Sequence, residues 1–315
     1  MIIANKEKRI LFISQPYKGS CIRSIIINSH ILSHRVDWLH FGFATMGIGR
    51  ELVGKAIGSK VAVSFRGYDI GIYPLKHENI YQRLWLNIDK VHTISDDLLE
   101  KAIGFGLPIN VKVEKITPAI QVEKFGKYSN SSDIVEEPIR ILTVGRMHWK
   151  KGGELMLQAL EAIKSAGVNF RFTWIGNGPD LERLVFAVHQ NNLSENVFFI
   201  GKQAHDAIPR IMRENDIYLQ YSIQEGFCNA VLEAQAAGKL VIVSDAEGLS
   251  ENVRNLETGW VVPKLDSAAL TKAIMKVIGM KSEEREYIQN AARERVYRHF
   301  HINQQQQAFL RFYAD

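Results

Sequence analysis

Cysteine is scarce in this chain: Cys21 and Cys228 are the two in 315 residues. Two thiols exclude a disulfide framework, and no Cys/His spacing forms a metal-ligand set. A reducing cytoplasm is the compartment that fits. Long apolar runs are missing as well. None reaches the ~18 residues of a membrane span. The opening MIIANKEKRILFIS lacks the basic, apolar and small-residue regions of a signal peptide. Dense Lys/Arg clusters interleaved with aromatics are absent, which argues against nucleic acid as a partner. No repeat of solenoid period occurs, and the only low-complexity tract is QQQQ at 304–307.

What is present is the composition of a globular protein, 46% hydrophobic and 23% charged. The charge is uneven. Residues 1–125 carry 17 Lys/Arg against 11 Asp/Glu, in a chain whose net charge is +5. The first part is therefore basic and the rest nearly balanced. A basic part suits an acidic membrane surface or an anionic substrate. An ordinary solvated surface explains it equally well.

Short β-branched runs alternate with helical spacing. Strands are expected at 9–14, 36–44, 60–65, 90–95 and 111–117. Helix-like spacing covers 46–58 and 75–87, and SDDLLEKAIGFG (95–106) opens with a capping Ser and an acidic first turn. Residues 126–138, Ser/Asn/acid-rich and aperiodic, read as a linker. Beyond it, strands are expected at 139–145, 169–176, 196–201, 216–222 and 240–244. Helices are expected near 152–166, 179–191, 205–214, 227–237, 267–279, 282–299 and 302–313. This alternation predicts two doubly wound parallel α/β sheets. The domains are then 1–125, 139–300 and a terminal helix, 301–315, returning to the first domain. Ligands of such sheets bind beyond the carboxyl ends of the strands, and with two domains the expected site is a cleft between them.

Residues of three loops suit that chemistry. VGRMHWKKGG (144–153) places Arg146 and Lys151 on a strand-to-helix turn beside two glycines, a clamp for a diphosphate. Gly201, after NVFFI, allows a nucleotide base to approach the backbone. QEGFCNAVLEA (224–234) sets Glu225 before Gly226, where a helix is expected to begin, and Glu233 two turns inside it. Glu225 then accepts sugar hydroxyls, and Glu233 a ribose diol. The plain alternative is a helix-dipole partner and a solvated surface carboxylate.

The ordered set VGRMHWKKGG, WIGNGP, FFIGK, EGFCNAVLE, AAGKLVIVSD and GLSENVRNLETGWVV resembles the retaining glycosyltransferases of family 4, which have the GT-B fold. DWLHFGFA, AVSFRGYDI and KVHTISDDL are similar to that family's first domain, most nearly in enzymes that build bacterial polysaccharides. The resemblance implies a hexosyltransferase using a nucleotide diphosphate sugar, with a glycan or lipid-linked acceptor. It implies no metal or other cofactor, and a cytoplasmic protein peripheral to the inner membrane face. Arg146 and Lys151 would neutralise the leaving diphosphate and Glu225 would hold the donor sugar. Glu233 would take the ribose, and Gly226, Phe227, Cys228 and Gly201 would complete the donor site. Arg66 and Asp69 would reach the donor from the first domain, although the family often has His where this chain has Arg66. An Arg66–Asp69 ion pair is the alternative reading.

About 35 residues precede Asp37, fewer than the family's first domain usually has, so that domain is expected to be reduced. Lys18-Gly19-Ser20 stand as a remnant of its glycine loop, and a protein partner is then expected to cover the sheet edge. A non-catalytic partner of another transferase is the competing function. Phosphorylase or epimerase chemistry on the same fold is a third, and no pyridoxal-phosphate lysine motif supports it.

Overall fold

The computed structural model describes residues 25–126 and 137–314. The strand expected at 9–14, Lys18-Gly19-Ser20, Cys21 and most of the expected linker lie outside the described residues. The chain forms two compact units. One runs to Thr117 and takes back the chain from Ala308; the other is Pro118–Gln307. Helix Val122–Gly126, which spans the end of the expected first domain and the first residue of the expected linker, lies in the second unit. There Glu123 pairs with His301 at 2.7 Å and Lys124 with Asp206 at 3.5 Å.

The first unit holds a parallel sheet of β1 (Trp38–Phe41), β2 (Lys60–Phe65), β3 (Lys90–Thr93) and β4 (Lys112–Lys115), in that order. All four strands fall inside expected runs. Val61 to Phe65 are all buried, as an unbroken apolar run in a parallel sheet requires. Helix α1 (Asp96–Gly104) starts as its sequence indicates, Ser95 Oγ accepting the Leu98 amide at 3.4 Å. The helices expected over 46–58 and 75–87 are instead short pieces, Val53–Ile57, Tyr73–Lys76 and Gln82–Trp85. Gly49 (φ 73°) and Asn79 (φ 56°) are left-handed and break the helical paths.

The end of the terminal helix, Ile302–Ala314, packs within this unit. Buried Lys90 donates to the Phe312 carbonyl at 2.8 Å, pairs with Glu114, and lies 4.4 Å from the Phe312 ring centroid. Ser64 and His92 are register partners on β2 and β3. A chain of hydrogen bonds joins Tyr313 Oη, His40, Ser64 Oγ, His92 and the Ile116 carbonyl. Burial, aided by the Arg66 charge, lowers the His40 pKa to about 4. Burial lowers that of His92 to about 4 as well; the bond to Ile116 opposes this, and Arg66 and His40 reinforce it.

Both rings are therefore neutral in the folded state above about pH 4. Their contribution to stability is complete above the ordinary value of 6.5 and is lost as pH falls from there to about 4. For the fully buried His92 the shift corresponds to ~3 kcal/mol. The melting temperature is expected to fall across that interval, and less steeply in a His92→Asn variant, which has no imidazole to charge. Equal slopes would contradict this account.

The second unit contains six parallel strands: β5 (Ile139–Val144), β6 (Phe170–Ile175), β7 (Val197–Phe199), β8 (Ile217–Gln220), β9 (Leu240–Ser244) and β10 (Trp260–Val262). Their order is β10-β9-β8-β5-β6-β7. The helices are α2 (Gly153–Ser165), α3 (Leu181–Gln190), α4 (Ile208–Arg213), α5 (Asn229–Ala236), α6 (Ser267–Ile278) and α7 (Ser282–His299). A core including Ile141, Leu160, Phe172, Trp174, Leu219 and Ile242 lies between strands and helices. At the amino ends of β5 and β8, the buried Asp216 carboxylate accepts the Arg140 amide at 2.8 Å and its guanidinium at 3.0 Å. Among the described residues no helix is long and apolar enough to cross a membrane.

Candidate functional site

From β5 the second sheet grows in one direction through β6 and β7, then in the other through β8, β9 and β10. The reversal lies between β5 and β8. Loops leaving the carboxyl ends of two such strands part there, opening the crevice where ligands of this topology bind. The two loops are those singled out on sequence: residues 145–152 after β5 and 221–228 after β8.

Backbone contacts hold them together. The amides of Ile223 and Gln224 donate to the Lys150 carbonyl, at 2.6 and 3.4 Å. Gly152 adopts φ +63°, and a Cβ there would lie 2.2 Å from the Tyr221 carbonyl oxygen, so only glycine permits this approach. Across the interface Lys151 Nζ forms an ion pair with Glu225 Oε2, and Ser222 Oγ donates to the same oxygen at 3.3 Å. Both side chains are largely buried. Burial opposes charge on Lys151, but Cys228 and Glu225 outweigh it, so its pKa lies above the ordinary lysine value. Glu225 is the physical source of that field, because burial pushes the Cys228 thiol up to about 11 and keeps it neutral.

Beside this pair lies a cavity of about 590 Å³, lined by Arg146, Gly176, Asn177, Gly178, Lys202 and His205 among others. Its floor is backbone. A Cβ on Gly176 would stand 2.0 Å from the Gly145 carbonyl, and one on Gly178 2.0 Å from that of Met147. Gly145 also lines the cavity, and the Lys151 stem passes beside it, 3.5 Å from where a Cβ would be. Exposed Arg146 and the largely buried Lys151 thus flank one region. Amides of the first turn of α2 add hydrogen-bond donors and a positive dipole end there. His205 Nε2 lies 3.3 Å from Glu233 Oε1, which ties Glu233 to the cavity wall. Burial raises the Glu233 pKa and His205 pulls it back.

Several expectations from the sequence change in detail. The helix expected to begin at Gly226 begins at Asn229, so Glu233 lies one turn inside it rather than two. Asn252 Oδ1 accepts the Cys228 amide at 3.0 Å, so that amide is already bonded within the fold. Phe227 packs its ring 5.9 Å from Phe300. The Gly201 carbonyl accepts the Gly176 amide at 2.9 Å, and the cavity is lined by its neighbours Lys202 and Gln203.

In the first unit, Asp69 is fully buried. Its Oδ1 accepts the Arg66 and Gly67 amides and its Oδ2 the Ala44 amide, each at 3.0 Å. This carboxylate fastens two loops through three backbone amides. Arg66 joins Asp69 through its backbone amide; among the described residues no side-chain ion pair links them. The residue as a whole is exposed, yet partial desolvation lowers its pKa against the opposing pull of Asp69 and Tyr313. Among the described residues no three His, Cys, Asp or Glu side chains converge as a metal site.

His205, Lys202, Asn177, Lys150 and Glu247 are site residues missed on sequence. All follow strand ends, and that position was the available signal. Glu247 accepts the Glu225 amide at 3.3 Å and pairs with Lys264 at 3.3 Å.

Comparison with known proteins follows the same residues. The family model for glycosyl transferases group 1 matches residues 124–295. The amylovoran biosynthesis glycosyltransferase AmsK of Erwinia amylovora is 30% identical over 76% of this chain and 60% of its own length. The putative colanic acid biosynthesis glycosyltransferase WcaL of Escherichia coli K12 is 27% identical over 84% of this chain and 66% of its own length. The chain therefore spans about two thirds or less of these relatives. Among solved structures, sucrose-phosphate synthase from Thermosynechococcus elongatus superposes with a TM-score of 0.79 at 20% identity, over 98% of this chain and 79% of that one. Anabaena HepE in complex with UDP-glucose gives 0.78 at 17%, over 93% and 82%. Two parallel α/β units of this kind are the GT-B fold expected from the sequence motifs. With the motifs of residues 144–262 lying in order inside the matched region, the chain belongs to the glycosyl transferases group 1 family.

Proposed function

We propose that the chain is a retaining hexosyltransferase of family 4. It binds a nucleotide diphosphate sugar in the second unit and transfers the sugar to a hydroxyl of a glycan or lipid-linked acceptor in polysaccharide biosynthesis. The observation that carries this reading is the switch-point crevice, where Arg146, Lys151 and the α2 amino end surround one region next to a nucleotide-sized cavity. The names of the relatives support polysaccharide synthesis, and the UDP-glucose held by HepE supports the donor class.

In the reaction the bond between the sugar C1 and the diphosphate oxygen breaks. The acceptor oxygen bonds C1 on the face the diphosphate leaves, and the acceptor proton passes to the diphosphate. Arg146 and Lys151 stabilise the charge that gathers on the leaving group. Preorganised cations in a shielded site make the greatest contribution a protein supplies to such a step. Glu225 orients the donor sugar, and Glu233 takes the ribose diol beside His205. No metal is required, the first unit presents the acceptor, and the protein works at the cytoplasmic face of a membrane.

The test is calorimetric binding and thermal shift against a panel of nucleotide diphosphate sugars, with and without a chelator. One donor is expected to stabilise the protein by about 2.7 kcal/mol at a hundredfold excess over Kd. Arg146→Ala is expected to weaken that donor about tenfold or more, as loss of a charge-assisted contact does. The Glu233→Ala variant is expected to lose ribose-dependent affinity. A protein that binds none of the panel, or an Arg146→Ala variant of unchanged affinity, would reject the assignment.

A further inference from the structure

The Glu225 backbone is held at both ends by two residues of the loop that follows β9. Its amide donates to Glu247 Oε2 at 3.3 Å, and its carbonyl accepts the Gly248 amide at 3.0 Å. Contact here is close: a Cβ on Gly248 would stand 1.8 Å from the Gly226 carbonyl oxygen. The other Glu247 oxygen, Oε1, pairs with Lys264 Nζ at 3.3 Å, and the Lys264 amide donates to Asp245 at 2.7 Å. Glu247 also acts electrostatically on Lys150, whose carbonyl receives the Ile223 and Gln224 amides. One largely buried carboxylate thus reaches segments following β5, β8, β9 and β10.

We infer that Glu247 is a positioning residue for sugar transfer, fixing the loop that carries Glu225 so that its carboxylate keeps one geometry. This inference rests on the proposed reading of Glu225 and deepens it. Physically, Glu225 stands on a loop, outside any helix or strand, and a loop carboxylate is only as well placed as its backbone. A misplacement of ~1 Å at a reacting centre costs about 10²-fold in rate. Two functions divide between the two Glu247 oxygens. Oε2 restrains the Glu225 amide directly. Oε1 anchors Glu247 itself, through Lys264, to the segment after β10. Arg146 and Lys151, which carry the diphosphate in the proposed function, stand on the loop after β5, whereas the bonds described for Glu247 run to residues after β8 and β10, so nucleotide affinity is expected to be insensitive to Glu247.

The experiment compares Glu247→Ala and Glu247→Gln in the full chain. Readouts are turnover of the donor identified above, Kd for the free nucleoside diphosphate, melting temperature, and amide hydrogen exchange over residues 223–228. Glu247→Ala is expected to lower kcat about 10²-fold with Kd changed less than threefold, and to speed exchange in 223–228. Glu247→Gln keeps an oxygen for the Glu225 amide and is expected to recover most of kcat. A Glu247→Ala variant with kcat within twofold of the parent would overturn the inference. So would a Gln variant as slow as Ala, or a Kd that weakens in step with kcat. If the parent turns over no donor, the reading of Glu225 fails, and the restraint is still decided by exchange: protection of 223–228 in the parent that survives in Glu247→Ala would overturn it.

Discussion

Glu225→Gln is expected to lower sugar transfer by about 10²- to 10³-fold, the scale of losing one preorganised polar group at a reacting centre. Glu225 is held by Lys151 and Ser222 through Oε2. Among the described residues no hydrogen bond to Oε1 occurs, which leaves that oxygen to accept from a sugar hydroxyl. Gln keeps the side-chain shape but replaces one acceptor oxygen by a donor and removes the charge opposite Lys151. Glu225→Ala is a less clean change. It leaves a largely buried ammonium without its counter-ion, at ~3 kcal/mol or more, so stability falls along with rate. The decisive pattern is a Gln variant that loses turnover while keeping near-parental nucleoside diphosphate affinity, at a stability cost no larger than that of Ala. Near-normal turnover in that variant would remove Glu225 from the chemistry and leave it as the fixed partner of Lys151.

Sequence made the strands legible because parallel strands buried on both faces appear as unbroken β-branched runs, as KVAVSF and LVIVS do. It missed β10, where three residues, Trp260–Val262, are too short for any period. It also joined helical pieces in the first unit that Gly49 and Asn79 separate, since a single left-handed residue interrupts a helix without disturbing apolar spacing. The candidate site was legible as positions and not as contacts. Arg146, Lys151 and Glu225 were found because each follows a strand end. That Lys151 meets Glu225 depends on two loops 74 residues apart in sequence. The start of α5 was misplaced for a similar reason: Cys228 is secured by Asn252, 24 residues further on. Asp69 shows the limit most clearly. A carboxylate in a family motif invites a ligand-binding role. Its partners within the fold include the amide of Ala44, 25 residues earlier, and no spacing rule brings that residue into view.

Lys151→Met is expected to weaken nucleoside diphosphate binding by about tenfold and transfer by about 10²-fold or more, because the charge it neutralises is fully developed only as the diphosphate departs. Its ammonium has three donors, and one is committed to Glu225. That bond holds the lysine beside Gly145 before a ligand arrives, so little side-chain entropy is lost on binding. The same bond makes Lys151 and Glu225 a coupled pair. Removing the lysine strands a largely buried carboxylate, removing the carboxylate strands a largely buried ammonium, and each single change carries that penalty. Lys151→Met combined with Glu225→Gln leaves no stranded charge. The double variant is therefore expected to be more stable than the two single effects predict by addition, with a coupling of about 0.5–3 kcal/mol. Denaturant unfolding of the four proteins measures it, and strict additivity would show that the pair contributes nothing as a pair. In turnover the double variant is expected to be no worse than about the slower single one, since groups acting as one unit are lost together. If rates instead multiply, Lys151 serves the diphosphate and Glu225 the sugar independently, and their ion pair is only how the empty site stores two charges.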